Sequence, residues 1–207
     1  MKLCVFDFDS TLMDGETIDI LADAYGKGAE FKAITEQAMR GEIDFFEALT
    51  ERVKHLEGLA FDIAEHICQS LPLMPGASLT INTLRERAYK VVIFSGGFRM
   101  ATGYHAQFLG ADADFANFLH HKNGFLTGRV GGEMMTSDAK GVMLERLQSL
   151  LNIPIEQTVV VGDGANDLSM FGYAAKKIAF NAKPVVQEAA DVVIEEKNLA
   201  QILQHTP

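Results

Sequence analysis

Cysteine and proline are scarce in this chain. Its 207 residues include only two cysteines, Cys4 and Cys68, and five prolines. Two cysteines do not make the disulfide framework of a small secreted domain, and so few prolines exclude a proline-rich chain. Cys4 lies in an apolar run, where we expect a small buried hydrophobic residue. The short N-terminal apolar stretch soon meets acidic residues and is not typical of a signal peptide. A reduced, cytoplasmic protein is therefore predicted.

The chain has fewer basic than acidic residues, and it has no long hydrophobic segment. Lys and Arg total 18 against 28 Asp and Glu, so the formal net charge is −10 at pH 7. This acidity argues against nucleic acid and anionic membranes as partners, because phosphate groups are bound by clustered Lys and Arg. The strongly apolar runs are also far shorter than the roughly 20 residues of a transmembrane helix. We expect no nucleic-acid partner and no membrane partner. The sequence gives no prediction of oligomeric state.

Short apolar runs alternate with helical patterns along most of the chain. Runs without polar alternation are typical of strands buried on both faces of a parallel sheet. They occupy residues 3–6, 91–94, 158–161, 178–180 and 192–194. Helical spacing is found at 77–88, 99–109 and 139–151. This alternation predicts an α/β, doubly wound fold with a mainly parallel sheet.

Two segments interrupt this alternation. Residues 17–68 carry helical patterns without a convincing strand, and breaker residues follow at Pro72 and Pro75-Gly76. We interpret residues 16–71 as an inserted helical subdomain of roughly four helices, and residues 1–15 with 72–207 as the α/β core. The second segment, 115–135, contains Asn123-Gly124 between apolar-aromatic runs, which predicts a small β-hairpin.

Carboxylates follow two of the predicted strands. Asp7 and Asp9 come directly after the first strand, where alternation places them on one side, and Asp163 follows the run at 158–161. Open α/β sheets bind ligands at this carboxyl edge of their strands. A solvated turn is the alternative interpretation of a lone Asp-x-Asp pair. Three carboxylates at one edge offer only oxygen ligands, a set that suits Mg²⁺ better than zinc.

Groups suited to a phosphate lie at the same predicted edge. Ser95-Gly96-Gly97 follows the second main strand and opens a helix, so its backbone N–H groups could face an anion. Lys140 begins the helix at 139–151, where a cation next to a metal could bind phosphate. Asn166 follows the glycine-rich turn and could cap the next helix. Each of these is a common surface feature when it occurs alone.

Taken in order, these residues resemble the haloacid dehalogenase-like phosphatase superfamily. The motifs are Asp7-Phe-Asp9-Ser-Thr, Ser95-Gly-Gly, Lys140 and Gly-Asp163-Gly-Ala-Asn-Asp167. The resemblance implies that Asp7 is a nucleophile and Asp9 a general acid and base. It implies that Mg²⁺ is held by Asp7, Asp163 and the Asp9 carbonyl, with Asp167 supporting the metal shell. It also implies that the helical insertion is a mobile cap.

Within the superfamily, the chain is most similar to the phosphoserine phosphatase family. This implies hydrolysis of O-phosphoserine, a small phosphorylated amino acid, in the last step of serine biosynthesis. Glu16 would contact the substrate ammonium and Arg52 its carboxylate, while Met39 and Phe45 would shield the site. The phosphate would be bound by Ser95, Gly96, Lys140 and Asn166. Without the resemblance, helix capping explains Glu16, an exposed helix charge explains Arg52, and helix core explains Met39 and Phe45.

Two other functions use similar residues. A phosphotransferase would pass the phosphoryl group from the aspartate to another hydroxyl. A phospho-receiver signalling domain also combines an acceptor Asp with Mg²⁺, a hydroxyl and a Lys on a doubly wound sheet. A receiver needs only about 120 residues and has no inserted cap. An acceptor at Asp7 and an acid at Asp9 therefore argue against the receiver.

Overall fold

The apolar run after Met1 forms a central strand, β1 (Lys2–Phe6), of a seven-stranded sheet. The computed structural model describes residues 1–39 and 43–206, and the side chains at 33, 35, 36, 38 and 39 lie outside that description. The other strands are β2 (Tyr89–Phe98), β3 (Ala113–Lys122), β4 (Phe125–Gly132), β5 (Thr158–Gly162), β6 (Lys176–Phe180) and β7 (Val192–Ile194). All five predicted strand runs are confirmed.

The sheet has the order β4-β3-β2-β1-β5-β6-β7. Every neighbouring pair is parallel except β3 and β4, which are antiparallel. The two halves of the chain are therefore wound outward from β1 in opposite directions. This confirms the predicted doubly wound, mainly parallel α/β fold, and it places the switch in strand order at β1, where such sheets bind ligands.

Strand alternation in β1 separates two hydrophobic layers. Cys4 and Phe6 pack into the larger cluster on one face, whereas Leu3 and Val5 pack into a second cluster on the other. All four side chains are fully buried. Because both faces are covered, the run contains no polar residue. The burial of Cys4 agrees with its predicted role as a hydrophobic residue, and burial raises the pKa of its thiol.

Helices cover both faces of the sheet and fill the predicted insertion. They are α1 (Thr17–Ala24), α2 (Gly28–Met39), α3 (Phe45–Lys54), α4 (Phe61–Gln69), α5 (Ala77–Glu86), α6 (Arg99–Leu109), α7 (Ala139–Leu151), α8 (Leu168–Phe171) and α9 (Pro184–Ala189). The patterns at 77–88, 99–109 and 139–151 are thus confirmed as helical. Helices α1 to α4 follow β1 in succession, and we call them the cap. The exact boundaries between the cap and the core remain a prediction.

The predicted hairpin is present, but it is larger and better connected than the sequence indicated. Strands β3 and β4 meet at the Asn123-Gly124 turn, and both residues have the positive φ angles, 53° and 82°, that such a turn requires. β3 also pairs with β2, so the hairpin forms one edge of the central sheet. Within the part of the chain that the structure describes, no helix is long and apolar enough to span a bilayer.

Candidate active site

The carboxyl ends of three adjacent strands meet at one cavity of about 560 Å³. Asp7 and Asp9 follow β1, Ser95 and Gly96 lie in the last part of β2, and Asp163 follows β5. Because β1 lies between β2 and β5, these residues converge at the middle of the sheet edge. Most residues singled out from the sequence line this cavity: Asp7, Asp9, Glu16, Phe45, Arg52, Gly96, Asp163 and Asn166.

Lys140, at the start of α7, places its ammonium between two buried carboxylates. Its Nζ lies 2.5 Å from Oδ1 of Asp7 and 2.6 Å from Oδ1 of Asp167. Burial opposes the charged form, but the two carboxylates outweigh it and raise the pKa of Lys140. Burial and then the charge of Asp167 raise the pKa of Asp7 well above its ordinary value. An ionised Asp7 therefore depends on the positive charge placed beside it.

Three carboxylates lie close enough together to bind one cation. One oxygen each from Asp7, Asp163 and Asp167 lies within 4.8 Å of the others. Burial, followed by the charge of Asp167, raises the pKa of Asp163 to about 6, as crowding of like charges requires. Lys140 supplies a single positive charge against these three carboxylates. The remaining negative charge and the all-oxygen donor set fit Mg²⁺.

Asp167 also shapes the loop that carries Asp163. Its Oδ2 accepts hydrogen bonds from the backbone N–H groups of Asp163 at 3.0 Å and Gly164 at 2.9 Å. A Cβ atom at Gly162 would lie 2.4 Å from the carboxylate carbon of Asp167. The loop can therefore close around Asp167 only because position 162 has no side chain. The structure adds this loop contact to the metal-supporting role predicted for Asp167.

Asp9 is held by hydrogen bonds on both of its carboxylate oxygens. Oδ1 accepts from the backbone N–H of Thr17 at 2.7 Å and from the Thr17 hydroxyl at 2.5 Å, and Oδ2 accepts from the Ser95 hydroxyl at 3.2 Å. Burial raises the pKa of Asp9, and the hydrogen bonds from Thr17 and Ser95 oppose this rise. A Cβ at Gly97 would lie 2.6 Å from Oδ2. Asp9 is thus a fixed carboxyl group with a raised pKa, as a general acid requires.

Two residues of opposite charge, Glu16 and Arg52, line the same cavity. Glu16 precedes α1, and its Oε1 accepts a hydrogen bond from the Ser10 hydroxyl at 2.8 Å. Ser10 has a φ of 58°, an uncommon value for a residue with a side chain. Burial, followed by the charge of Asp9, raises the pKa of Glu16 to about 7. Arg52 lies on α3, and its Nε donates to the carbonyl of Ala48 at 3.3 Å.

The structure brings nearly all of the predicted site residues together. Phe45, the first residue of α3, approaches Gly96 so closely that a Cβ there would lie 3.0 Å from the ring. Ser95 and Lys140 reach the site through their hydrogen bonds to Asp9 and Asp7. The side chain of Met39 lies outside the described residues, so its predicted shielding role stays a prediction.

Several residues with a place at the site were not predicted. Thr17 stands beside Glu16 in the sequence, but nothing local indicates that it binds Asp9. Asp19 and Lys183 line the cavity as well. Asn117 is a buried polar residue in β3, and its Nδ2 donates to the carbonyl of Gly96 at 3.0 Å. A polar residue within the apolar-aromatic run of β3 is the one signal that could have drawn attention to Asn117.

The amino-acid sequence is similar to those of known hydrolases. A family model described as haloacid dehalogenase-like hydrolase matches residues 1–175. A phosphoserine phosphatase of Wolinella succinogenes is 57% identical over 205 residues, which cover 99% of this chain and 100% of that protein. Phosphoserine phosphatases of Campylobacter jejuni subsp. doylei and Methanocaldococcus jannaschii are 51% and 45% identical, each across 99% of this chain and 99% and 97% of their own lengths.

Two solved structures of phosphoserine phosphatases have the same fold as this chain. One is described as a phospho-aspartyl intermediate analogue of phosphoserine phosphatase, with a TM-score of 0.94 and 45% identity. It covers 100% of this chain and 99% of its own. A second, described as a substrate-bound phosphoserine phosphatase complex, has a TM-score of 0.94 and 44% identity, covering 100% and 98% of the two chains.

Proposed function

The chain belongs to the phosphoserine phosphatase family of the haloacid dehalogenase-like hydrolases, and we propose that it hydrolyses O-phosphoserine to serine and inorganic phosphate. One observation carries the proposal: a single cavity joins two kinds of recognition. Asp7 and Asp9 offer a nucleophile and a proton donor for the phosphate ester. Glu16 and Arg52 offer opposite charges for an ammonium and a carboxylate. Phosphoserine carries all three groups on one small molecule.

The first step transfers the phosphoryl group to Asp7. A carboxylate oxygen of Asp7 attacks phosphorus, and the bond between phosphorus and the seryl oxygen breaks with its electron pair on that oxygen. Asp9 donates its proton to the seryl oxygen, which leaves as the hydroxyl of serine. Burial raises the pKa of Asp9, which favours the protonated form needed here. The products are serine, an aspartyl phosphate on Asp7 and an ionised Asp9.

The second step returns both aspartates to their starting state. Asp9, now ionised, accepts a proton from water while the water oxygen attacks phosphorus. The bond between phosphorus and Asp7 then breaks, and its electrons return to the carboxylate. Inorganic phosphate leaves, and Asp9 is protonated again. Thr17 and Ser95 hold Asp9 through both of its oxygens. The same carboxyl group can therefore donate a proton in the first step and accept one in the second.

Asp7, Asp163 and the backbone carbonyl of Asp9 are the proposed ligands of Mg²⁺, with Asp167 in a supporting position. When bound, Mg²⁺ offsets negative charge on the phosphoryl oxygens. Lys140 is already ion-paired with Asp7, so it lies beside the phosphoryl group during transfer. The proposed partners of the remaining phosphate oxygens are the Ser95 hydroxyl, the Gly96 backbone and the Asn166 amide.

Arg52 and Glu16 are the proposed determinants of the amino-acid substrate. A guanidinium binds a carboxylate with two parallel hydrogen bonds, and an ionised Glu16 attracts the ammonium. The Phe45 ring lies close to Gly96 in the cavity, and we propose that with Met39 it excludes water. We further propose the division into a core, 1–15 and 72–207, and a cap, 16–71. A cytoplasmic role in the last step of serine biosynthesis completes the proposal.

A panel of three phosphate esters tests the substrate. O-phosphoserine carries both charged groups, O-phosphoethanolamine lacks the carboxylate, and ethyl phosphate lacks both, while all three keep an alkyl leaving group. We expect kcat/KM to be highest for phosphoserine and to fall as each group is removed. Equal values for all three would overturn the assignment of Arg52 and Glu16. Adding alcohol acceptors should leave phosphate release unchanged, whereas a phosphotransferase would release less phosphate as the acceptor concentration rises.

A further inference from the structure

The β3–β4 hairpin reaches out of the core and hydrogen-bonds the segment that joins α3 to α4 in the cap. The N–H of Gly58 donates to the carbonyl of Leu126 at 3.0 Å, and the N–H of Leu126 donates to the carbonyl of Leu59 at 2.8 Å. The N–H of Phe61 donates to the carbonyl of Gly124 at 2.8 Å. We call this pairing of residues 58–61 with 124–126 the hairpin contact. Its three main-chain hydrogen bonds make a short piece of antiparallel sheet between cap and core.

Side chains and a close backbone approach strengthen the hairpin contact. The ring of Phe61 lies 4.1 Å from the ring of His121, measured between centroids. Gly128, in β4, has a φ of +68°, and a Cβ there would lie 3.2 Å from both Cα and the carbonyl oxygen of Lys54. Lys54 is the last residue of α3. Cβ of Glu57 lies still closer to that position, at 3.1 Å. The hairpin therefore packs tightly against the end of α3, where an added methyl group would require its neighbours to shift by a few tenths of an ångström.

The hairpin contact ties the cap to the part of the core that carries the active site. β3 pairs with β2, and β2 carries Ser95 and Gly96. Asn117 in β3 also donates to the carbonyl of Gly96. The cap also meets the core at its two chain ends, near residues 16 and 71, and along α4, where the Cys68 carbonyl lies 3.1 Å from Nε2 of His105 in α6. The hairpin contact is a further attachment, at the corner between α3 and α4.

The hairpin contact lies next to Arg52. Arg52 stands two residues before Lys54 in α3, and its Nε is hydrogen-bonded to the carbonyl of Ala48 within the same helix. The position of the guanidinium in the cavity therefore follows the position of the C-terminal end of α3. We propose that the β3–β4 hairpin is a positioning element for Arg52, which holds the guanidinium at a fixed distance from Asp7. This inference rests on the proposed role of Arg52 in binding the substrate carboxylate.

A pair of glycine substitutions tests the proposal. Gly128→Ala places a methyl group against the backbone of Lys54 and should displace the end of α3. Gly26→Ala, between α1 and α2 and outside the hairpin contact, is the matched control, because Gly26 has a similar φ of +73° but nothing within 4 Å of the added carbon. Displacement of a binding group by about 1 Å can cost up to 100-fold, so a shift of a few tenths of an ångström costs a smaller factor. We expect Gly128→Ala to raise KM for phosphoserine by roughly threefold, with KM for 4-nitrophenyl phosphate unchanged and Gly26→Ala like the parent.

A double-mutant cycle separates positioning from stability. If the hairpin acts through Arg52, Gly128→Ala should have no further effect on phosphoserine once Arg52→Ala is present. His121→Ala is a second and milder variant, since His121 is exposed and loses only its ring contact with Phe61. We expect a smaller rise in KM in the same direction. Equal losses for both substrates, additive losses with Arg52→Ala, or an unchanged KM in both hairpin variants would each overturn the proposal.

Hydrogen exchange distinguishes this proposal from the proposed function. The amides of Gly58, Phe61 and Leu126 should be protected in the parent protein, and Gly128→Ala should raise their exchange rates while Gly26→Ala does not. This readout does not depend on any substrate. If the parent failed to prefer phosphoserine but exchange behaved as expected, the substrate assignment would fail and the hairpin contact would stand. Fast exchange of these amides in the parent would overturn the hairpin contact itself.

Discussion

Thr17 holds Oδ1 of Asp9 with two hydrogen bonds, from its backbone N–H at 2.7 Å and from its hydroxyl at 2.5 Å. Thr17 is the first residue of α1, so the first cap helix is bonded directly to the proposed general acid. Both hydrogen bonds favour the ionised form of Asp9 and lower its pKa against the larger effect of burial. In the proposed mechanism, the cap would therefore act on the proton transfers at Asp9 as well as on substrate binding.

Thr17→Val should impair the second step. The substitution keeps the shape of the side chain but removes the hydroxyl donor, so the pKa of Asp9 should rise further. In the aspartyl-phosphate intermediate, the ionised Asp9 would then take up a proton from solvent more readily, so a higher pH is needed to keep it able to activate water. A hydrogen bond to a charged group contributes about 1.5–3 kcal/mol, so we expect kcat to fall by roughly tenfold or more. The acid limb of the kcat profile should move to higher pH. Thr17→Ser should restore both, and a parent-like profile in Thr17→Val would contradict the role.

Asp7→Asn should abolish turnover without unfolding the protein. The amide has the same shape but cannot attack phosphorus, so kcat should fall by at least roughly a thousandfold. In the absence of metal, the melting temperature should not decrease, because the substitution removes one of three crowded carboxylates. Substantial turnover in Asp7→Asn would exclude Asp7 as the nucleophile. Circular dichroism of the variant provides the control for folding.

The pH dependence of substrate selection should report Glu16. Its pKa is raised to about 7, so Glu16 is ionised above that pH and becomes neutral as the pH falls through 7. The ammonium of phosphoserine loses its partner in the neutral form, and kcat/KM for phosphoserine should decrease below pH 7. The ratio of kcat/KM for phosphoserine to that for ethyl phosphate removes the contributions of Asp7 and Asp9, because both are alkyl esters that need a proton on the leaving oxygen. Glu16→Gln should make this ratio independent of pH. If the ratio in Glu16→Gln still changed near pH 7, Glu16 would be excluded as the titrating group.

Removal of Mg²⁺ should stop the reaction, and Asp163 should control its affinity. Asp163→Asn keeps the loop shape but removes a charge from the three-carboxylate group. We expect weaker Mg²⁺ binding by calorimetry and a smaller rise in melting temperature on adding Mg²⁺. Ca²⁺ should inhibit, because its larger and looser coordination changes the geometry of the phosphoryl group. Asp191→Asn, outside the cavity, is the charge-matched control. Full activity after exhaustive chelation would contradict the metal site.

The predicted part of the site consists of residues whose position follows from local sequence. Asp7, Asp9 and Asp163 come directly after buried apolar runs, so the end of each strand places them at one edge of the sheet. Lys140 begins a helix with clear helical spacing. In each case a few neighbouring residues set both the element and the point where it ends. The doubly wound fold was predictable for the same reason.

The parts that were not predicted depend on contacts between distant segments. Asn117 reaches Gly96 only because β3 pairs with β2. Helix α6 separates the two strands in the chain, so their register does not follow from the local sequence. The hairpin turn at Asn123-Gly124 had a local signal, but the pairing of Leu126 with the cap did not. Thr17 lies eight residues from Asp9, and its hydrogen bonds require the turn after β1 to fold back. A single sequence can mark such a residue as unusual, as it does Asn117, but it does not show which distant residue the side chain contacts.

Arg52→Ala should separate substrate recognition from phosphate chemistry. Arg52 is proposed to bind the substrate carboxylate and has no part in the attack on phosphorus. Loss of one partner of a buried charge pair costs about 2–5 kcal/mol, so kcat/KM for phosphoserine should fall by roughly 30-fold or more. Part of the loss should fall on kcat, because binding energy from remote groups also orients the substrate.

The control for Arg52 lies on the same helix. Lys54 is exposed and ion-paired with Glu51, so Lys54→Ala removes a positive charge of α3 outside the cavity. It should leave both substrates unaffected. For Arg52→Ala, 4-nitrophenyl phosphate should change much less than phosphoserine, measured under saturating Mg²⁺. Equal losses for the two substrates would mean that Arg52 serves folding or phosphate binding. The assignment of an amino-acid substrate would then lose its main support, because Glu16 alone recognises an amine and not the carboxylate beside it.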